Sequence, residues 1–179
     1  MNEISSRMAQ WAIVMSCLVM LASAASRTIL AEGFDSPAVS LDVSFYGHAG
    51  YERPLAYPHN GARNVYAVST DTWNSVNINF RGDPLRKYET GDCYLNAFLQ
   101  FSPNGQNAIM GVVDPTSGII AQTFPKPTTG NYFQYESFTL PFRGPSDGRQ
   151  LIAFFAFNGE RPEQWMRVDQ VEVWCGVLS

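Results

Sequence analysis

The chain has 179 residues, of which 45% are hydrophobic, 13% aromatic and only 16% charged, and its formal net charge is −4. This length suits one ordinary domain. The apolar content excludes a disordered tail, whose low hydrophobicity and high charge prevent a core, and the low charge excludes a long coiled coil. Because the basic residues are scattered, the sequence offers no clustered positive surface for nucleic acid.

Residues 1–25 have the three parts of a secretory signal peptide. A polar segment with Arg7 precedes the uncharged apolar run 11–21, and small residues follow at 22–25. Such a run spans about 16 Å as a helix, roughly half a hydrocarbon core, which favours a leader over a membrane anchor. Cleavage after Ala24 or Ala25 removes this leader, and we assign residues 26–179 to a single domain. We therefore expect a secreted, extracellular protein that does not insert into a membrane.

Secretion changes how the three cysteines are interpreted. Cys17 leaves with the leader, so the exported chain keeps Cys93 and Cys175. Two cysteines in an oxidising compartment most simply form one disulfide bond. The chain-entropy model gives a loop of this length a stabilisation of about 4.5 kcal/mol.

The exported chain alternates apolar and polar residues with a period of two, which predicts β-strands. Five segments are predicted to be strands: Ser75–Arg81, Cys93–Phe101, Gln134–Phe142, Gln150–Phe157 and Arg167–Cys175. The fourth is apolar on both faces, as expected of a central strand. Turn residues separate these segments, for example at 102–105, 114–118 and 144–148. The pattern predicts an all-β, two-sheet antiparallel sandwich in which both cysteines point inward.

Residues 47–63 are rich in Gly, Pro and Tyr and are predicted to form a long loop. This segment holds both histidines, His48 and His59. With only Glu52 as a further nearby ligand, a metal site there is not favoured. A serine hydrolase is not favoured either, because the sequence has no Gly-x-Ser-x-Gly turn to hold the nucleophile.

Short motifs in a fixed order run through nearly the whole exported chain. They are Glu32-Gly-Phe-Asp-Ser36, the segment 61–67, the strand with Cys93, Tyr132–Leu140 with its Ser-Phe-Thr, and Val168-Asp-Gln-Val-Glu-Val173. This order resembles the secreted jelly-roll carbohydrate-binding modules of the CenC type, which belong to the galactose-binding-like sandwiches. The chain departs from that pattern in having Asp35 where the modules have Glu, and in its long segment 47–63.

The resemblance implies a jelly roll that binds polysaccharide or glycan and catalyses nothing. It also implies one structural calcium where the first and last strands meet, held by Asp35 and Asp169, since calcium takes oxygen ligands. The same two residues could equally be a turn residue and a strand-end residue. No other cofactor is expected.

Glycan binding needs flat aromatic surfaces for the sugar C–H groups, and amides or carboxylates for the hydroxyls. The outward residues of the predicted strands offer these groups: Asn77, Asn79, Tyr94, Asn96, Gln100 and Tyr135. Aromatic residues assigned to loops add Tyr51, Tyr57, Trp73, Tyr132 and Trp165. We predict ligand contacts from the first set and from Trp73 and Trp165. The alternative is ordinary packing beneath a second sheet or loop.

Catalysis by a jelly roll would need paired carboxylates, about 5 Å apart in a retaining glycosidase. Asp169 and Glu172 are close in sequence, but strict alternation places them on opposite faces of a strand. The sequence therefore favours a non-catalytic binding protein. The alternative is a structural or adhesive extracellular protein that binds another protein, and a glycan hydrolase or lyase comes third.

The integrin-type tripeptide Arg81-Gly82-Asp83 is explained by chance.

Overall fold

The structure is a computed structural model that describes residues 26–35, 42–53, 58–70, 72–80, 92–103, 107–126, 134–144, 149–157 and 164–176. The predicted signal peptide, Tyr57, Arg81-Gly82-Asp83 and Tyr132 lie outside these residues. The described ranges form eleven strands: β1 (Ser26–Glu32), β2 (Val43–Tyr46), β3 (Ala49–Tyr51), β4 (Val65–Val68), β5 (Asn74–Phe80), β6 (Asp92–Phe101), β7 (Ala108–Asp114), β8 (Gly118–Thr123), β9 (Glu136–Arg143), β10 (Leu151–Phe157) and β11 (Trp165–Gly176). They contain no helix long and apolar enough to cross a membrane.

The strands form two antiparallel sheets that face each other. The six-stranded sheet has the order β3-β4-β11-β6-β9, with β1 paired to the second half of the long strand β11. The five-stranded sheet has the order β2-β5-β10-β7-β8. From β4 to β7, and again from β8 to β11, consecutive strands alternate between the sheets, as in a jelly roll. The prediction of an all-β, two-sheet antiparallel sandwich is confirmed.

The five predicted strands correspond to β5, β6, β9, β10 and β11. The segment that is apolar on both faces, β10, lies at the centre of its sheet between β5 and β7, as predicted. The loop predicted for residues 47–63 is wrong at Ala49–Tyr51, because this three-residue strand pairs with β4. So short an edge strand shows no period-two pattern, and its pairing is set by the hydrogen bonds that its neighbour offers.

The core lies between the sheets and is built from the inward residues of each strand. In β6, Cys93, Leu95, Ala97 and Leu99 are all fully buried, and burying a leucine side chain contributes about 1.5–3 kcal/mol. A second, smaller apolar cluster lies on the outer face of the five-stranded sheet. It consists of Ile109, Phe154 and Ala156, with Val113 packed against it.

The predicted disulfide bond is present and joins two neighbouring strands. Cys93 in β6 and Cys175 in β11 are directly opposite each other in the antiparallel register, with their Cα atoms 4.1 Å apart. Both residues are fully buried. The bond therefore links the two long strands of the six-stranded sheet from the core side, as the inward alternation of both cysteines predicted.

Strand β11 contains one irregularity that changes which residues share a face. Asp169 is opposite Phe98 and Glu172 is opposite Asn96, so β11 has one residue more than β6 over this stretch. The extra residue is accommodated by a β-bulge at Gln170, whose φ is 45°. The prediction that Asp169 and Glu172 lie on opposite faces is therefore wrong, because the bulge interrupts the alternation and turns both towards the outer face.

Candidate functional site

The outer face of the six-stranded sheet carries the candidate site, at the first half of β11. Trp165 and Arg167 are two residues apart in β11, so both point away from the core. Their partners across the sheet are Val68 and Tyr66 of β4, and Gln100 of β6 is opposite Arg167 on the other side. Regular alternation in three neighbouring strands thus brings these side chains to one surface.

Arg167 is held in place by three neighbours. Its Nε donates a hydrogen bond to Oε1 of Glu52 at 3.0 Å, and its Nη1 donates to Oε1 of Gln100 at 2.9 Å. The guanidinium carbon lies 4.2 Å from the ring centre of Trp165, a cation–π contact. The planar guanidinium is therefore fixed before any ligand arrives, which lowers the entropy lost on binding.

These residues border an open cleft of about 420 Å³. Its lining combines aromatic rings, one ion pair and a second arginine: Tyr51, Glu52, Arg53, Tyr66, Val68, Trp165 and Arg167. The Glu52–Arg167 pair is neutral overall, while Arg53 is exposed. Flat rings beside fixed donors and acceptors suit a ligand that has apolar faces and a hydroxyl edge.

Residues 58–62, which we call the crossing loop, pass over the outer face next to the cleft. The His59 ring stacks on Phe98 of β6, with ring centres 4.0 Å apart and planes 17° apart. Its Nδ1 lies 3.0 Å from Oε1 of Gln170 in the bulge. Tyr135 meets the same imidazole edge-on at 5.4 Å. The crossing loop therefore covers Phe98.

Asp169 anchors the crossing loop from below. Its Oδ2 accepts hydrogen bonds from the backbone N–H groups of His59 at 2.7 Å and Asn60 at 3.1 Å, and its Oδ1 accepts one from Gln170 at 2.8 Å. Burial raises the pKa of Asp169, against the opposing effect of these N–H donors. Burial also raises the pKa of Tyr135, and the Asp169 carboxylate adds to that shift.

The residues implicated in calcium binding do not fit a calcium site in this arrangement. Asp35 accepts the N–H of Ala62, at the end of the crossing loop, and Asp169 accepts three N–H groups. Backbone N–H groups direct hydrogens towards the carboxylates, whereas calcium needs six to eight oxygen ligands. No group of three or more His, Cys, Asp or Glu side chains in the described ranges is placed to hold a metal. We therefore derive no role for calcium.

The predicted ligand residues are divided between the two outer faces of the sandwich. The six-stranded sheet carries Tyr94, Asn96, Gln100 and Trp165, with Tyr135 just before β9. Of these five, Trp165 lines the cleft and the buried Gln100 supports Arg167. Tyr51, one of the aromatic residues assigned to loops, also lines the cleft.

The other sheet carries the remaining three. Asn77 donates to Oγ of Ser75, and Asn79 bonds the carbonyl of Asp42 and the amide of Gln150. Trp73 precedes β5 and packs against Phe154 with ring centres 6.1 Å apart. Since the two faces are separated by the core, the eight predicted residues do not form one site.

Several cleft residues were not predicted from the sequence. Arg167 begins a predicted strand, but strict alternation from the inward Val171 would turn it towards the core, and the bulge at Gln170 turns it outward instead. Tyr66 lies in β4, which was not predicted as a strand. Glu52 could not be placed, because β3 was not recognised and the ion pair joins residues 115 positions apart. The two histidines have separate structural contacts: the N–H of His48 bonds Oδ1 of Asn74, and His59 belongs to the crossing loop.

Comparison by sequence finds no matching family model and no matching curated protein, so the CenC-type resemblance stays a prediction. Solved structures do match the fold. A Stig cyclase from Fischerella sp. TAU is similar over 87% of this chain and 100% of its own, with a TM-score of 0.61 and 10% identity.

Two other solved structures share the sandwich. A xylan-binding CBM22 domain from Paenibacillus barcinonensis matches over 88% of this chain and 100% of its own, with a TM-score of 0.56 and 9% identity. An adhesin domain of the Lys-gingipain from Porphyromonas gingivalis W83 matches over 83% and 97%, with a TM-score of 0.51 and 13% identity. At such identities the likeness shows the fold alone.

Proposed function

We propose that this protein is an exported, non-catalytic glycan-binding protein that holds a polysaccharide in the cleft around Trp165. The observation that carries the proposal is the indole of Trp165 beside the fixed Arg167–Glu52 pair. An indole ring gives the C–H face of a sugar a flat apolar surface. Carboxylate and guanidinium groups accept from and donate to its hydroxyls.

Two further observations support this proposal. A xylan-binding module has the same sandwich over the whole of its own length. The disulfide bond also agrees with an oxidising extracellular compartment, which is where a leader at residues 1–25 would direct the chain.

The carboxyl groups favour binding over catalysis. Among the described residues that line the cleft, Glu52 is the one carboxylic acid, and it is paired with Arg167. Asp169 is buried beneath the crossing loop and already accepts three N–H groups. A glycosidase needs a carboxyl pair free to act as acid and as nucleophile or base.

The test is affinity electrophoresis of the exported chain through gels containing soluble neutral polysaccharides, xylan among them. We expect at least one polysaccharide to retard the wild-type protein. Trp165→Ala should weaken this binding about 10- to 100-fold, because a buried aromatic contact at the centre of a site carries much of the affinity.

The matched control is Trp73→Ala, which removes the same side chain from the opposite outer face and should leave the retardation unchanged. Tyr66→Ala provides a second cleft variant, in case Trp165→Ala perturbs the start of β11. Loss of binding in Trp73→Ala but not in the cleft variants would contradict the assignment of the binding site to the outer face of the six-stranded sheet. Failure of every polysaccharide to retard the wild type would contradict glycan binding itself.

A further inference from the structure

A second aromatic surface lies on the same outer face, at the other half of β11. Tyr94 of β6 and Trp174 of β11 are directly opposite in register, and their rings stack with centres 4.2 Å and planes 20° apart. Pro141 of β9 continues this row on one side and Thr28 of β1 on the other. The row therefore crosses four strands, about 14 Å at the usual strand spacing.

Polar groups border the aromatic row on both sides. On one side, Asn96 and Glu172 form the next cross-strand pair. Oδ1 of Asn96 accepts hydrogen bonds from Ser137 at 2.9 Å and Thr139 at 3.0 Å, which leaves its amide nitrogen as a donor. Glu172 is exposed and supplies an acceptor.

On the other side, the next register position is occupied by the exposed pair Arg143 and Asp92, 3.8 Å apart. The row is thus a narrow apolar strip between two polar borders, and Glu172 adds a negative charge to one of them. This charge pattern disfavours an anionic ligand and suits a neutral one with many hydroxyl groups.

The crossing loop separates this surface from the cleft. His59 covers Phe98, which lies between Gln100 at the cleft and Asn96 at the second surface. Trp165 and Trp174 are nine residues apart in β11, and one of those residues belongs to the bulge. At about 3.3 Å per residue, the two indoles lie roughly 27 Å apart along one strand. Two separate sites on one face can therefore contact the same extended polymer.

We propose that Tyr94, Trp174, Asn96 and Glu172 form a second glycan-binding surface, which binds another segment of the polysaccharide held in the cleft. The assignment rests on the proposed function. Its consequence is bivalency: once one segment is bound in the cleft, the next is held at high effective concentration near the second surface.

The experiment compares wild type, Trp174→Ala and Trp165→Ala on two ligands. They are the polysaccharide that retards the wild type and an oligosaccharide of it too short to reach from one indole to the other. Calorimetry with the oligosaccharide should give two sites per wild-type chain and one in either variant. For the long polymer, Trp174→Ala should weaken binding about tenfold or more, because bivalency is lost. Trp73→Ala should behave as wild type on both ligands.

Since Trp174→Ala also removes the stacking on Tyr94, Glu172→Ala is measured as a second variant on the same surface. It should reduce affinity for the oligosaccharide at one of the two sites and leave thermal unfolding unchanged. One site in the wild type, with unchanged polymer binding in both variants, overturns the second surface but not the cleft. Loss of all oligosaccharide binding in Trp165→Ala also overturns the second surface, because it means that the oligosaccharide binds at the cleft alone. Self-association of the wild type in light scattering, abolished by Trp174→Ala, assigns the surface to a second copy and also overturns the proposal.

Discussion

At the scale of single residues, Asp35 and Asp169 hold in place a segment that neither of them adjoins in the sequence. What they bind is the backbone of the crossing loop, through the N–H groups of His59, Asn60 and Ala62. That partner depends on a loop whose path is set by tertiary contacts, which residue type and local spacing do not encode.

A carboxylate with a similar role, Asp114, gives a prediction about pH. It ends β7 and accepts hydrogen bonds from the N–H of Thr116 and the hydroxyl of Ser117, both at 2.7 Å, and from Arg149 at 2.9 Å. The bonds from Ser117 and Thr116 lower the pKa of Asp114 most, below its ordinary value of 3.8. A carboxyl group whose pKa is lower in the folded than in the unfolded state stabilises the folded state. This stabilisation is complete at pH values above the unfolded-state pKa, and it declines as the pH falls towards the folded-state pKa.

We therefore expect Asp114→Asn to lower the free energy of unfolding at neutral pH, with a gap to the wild type that narrows below about pH 4. Urea unfolding at neutral pH and at several acidic pH values measures this gap. Asp92→Asn is the control, because it breaks an exposed ion pair with Arg143 that contributes little to the free energy of unfolding at any of these pH values. A gap that is constant or widens in acid would contradict the prediction.

At the scale of elements, the strands follow from local pattern and the irregular segments do not. Four of the five predicted strands follow from alternation because one face of each is packed on the core, and β10 follows from a segment that is apolar on both faces. The bulge at Gln170 and the crossing loop could not be predicted in this way, since neither has a periodic pattern. Yet these two irregularities contact each other through His59 and Asp169, and together they divide the outer face into the cleft and the second aromatic surface.

Gly61 tests how tightly the crossing loop is held. Its φ is +71°, and a Cβ there would overlap with the Asp35 carboxylate. Gly118, the first residue of β8, also has a positive φ, but a Cβ at that position would meet no atom within 4 Å. Both alanine variants adopt an unfavourable backbone conformation, but only Gly61→Ala adds a clash.

We expect Gly61→Ala to lower the free energy of unfolding by about 1–3 kcal/mol more than Gly118→Ala does, as measured by chemical denaturation. It should also speed hydrogen exchange at His59 and Asn60, whose N–H groups depend on the loop position. Equal losses of unfolding free energy in the two variants would mean that a Cβ at position 61 does not clash with Asp35.

At the scale of the whole molecule, the architecture could be predicted and the site only in part. Alternation in β6 and β11 indicated which residues face the core and that the two cysteines could meet. It also placed Gln100 correctly on the outer side of β6. Trp165 was assigned to a loop, whereas it is the first residue of β11. Alternation could not tell that Asn77 and Asn79 belong to the opposite face, because the assignment of a strand to one sheet or the other depends on long-range pairing. The Arg167–Glu52 pair was missed for the same reason.

The disulfide bond gives the last prediction, which concerns the stability of the whole sandwich. Cys93 and Cys175 are 82 residues apart, so their bond restricts a long stretch of the unfolded chain. Loss of a cross-link of this length costs up to about 4.5 kcal/mol on the chain-entropy model. We expect the double variant Cys93→Ala, Cys175→Ala to unfold at a clearly lower denaturant concentration than the oxidised wild type. The reduced wild type, a control with unchanged sequence, should shift in the same direction. Free thiols at both Cys93 and Cys175 in the non-reduced protein, found by alkylation and mass analysis, would contradict the bond.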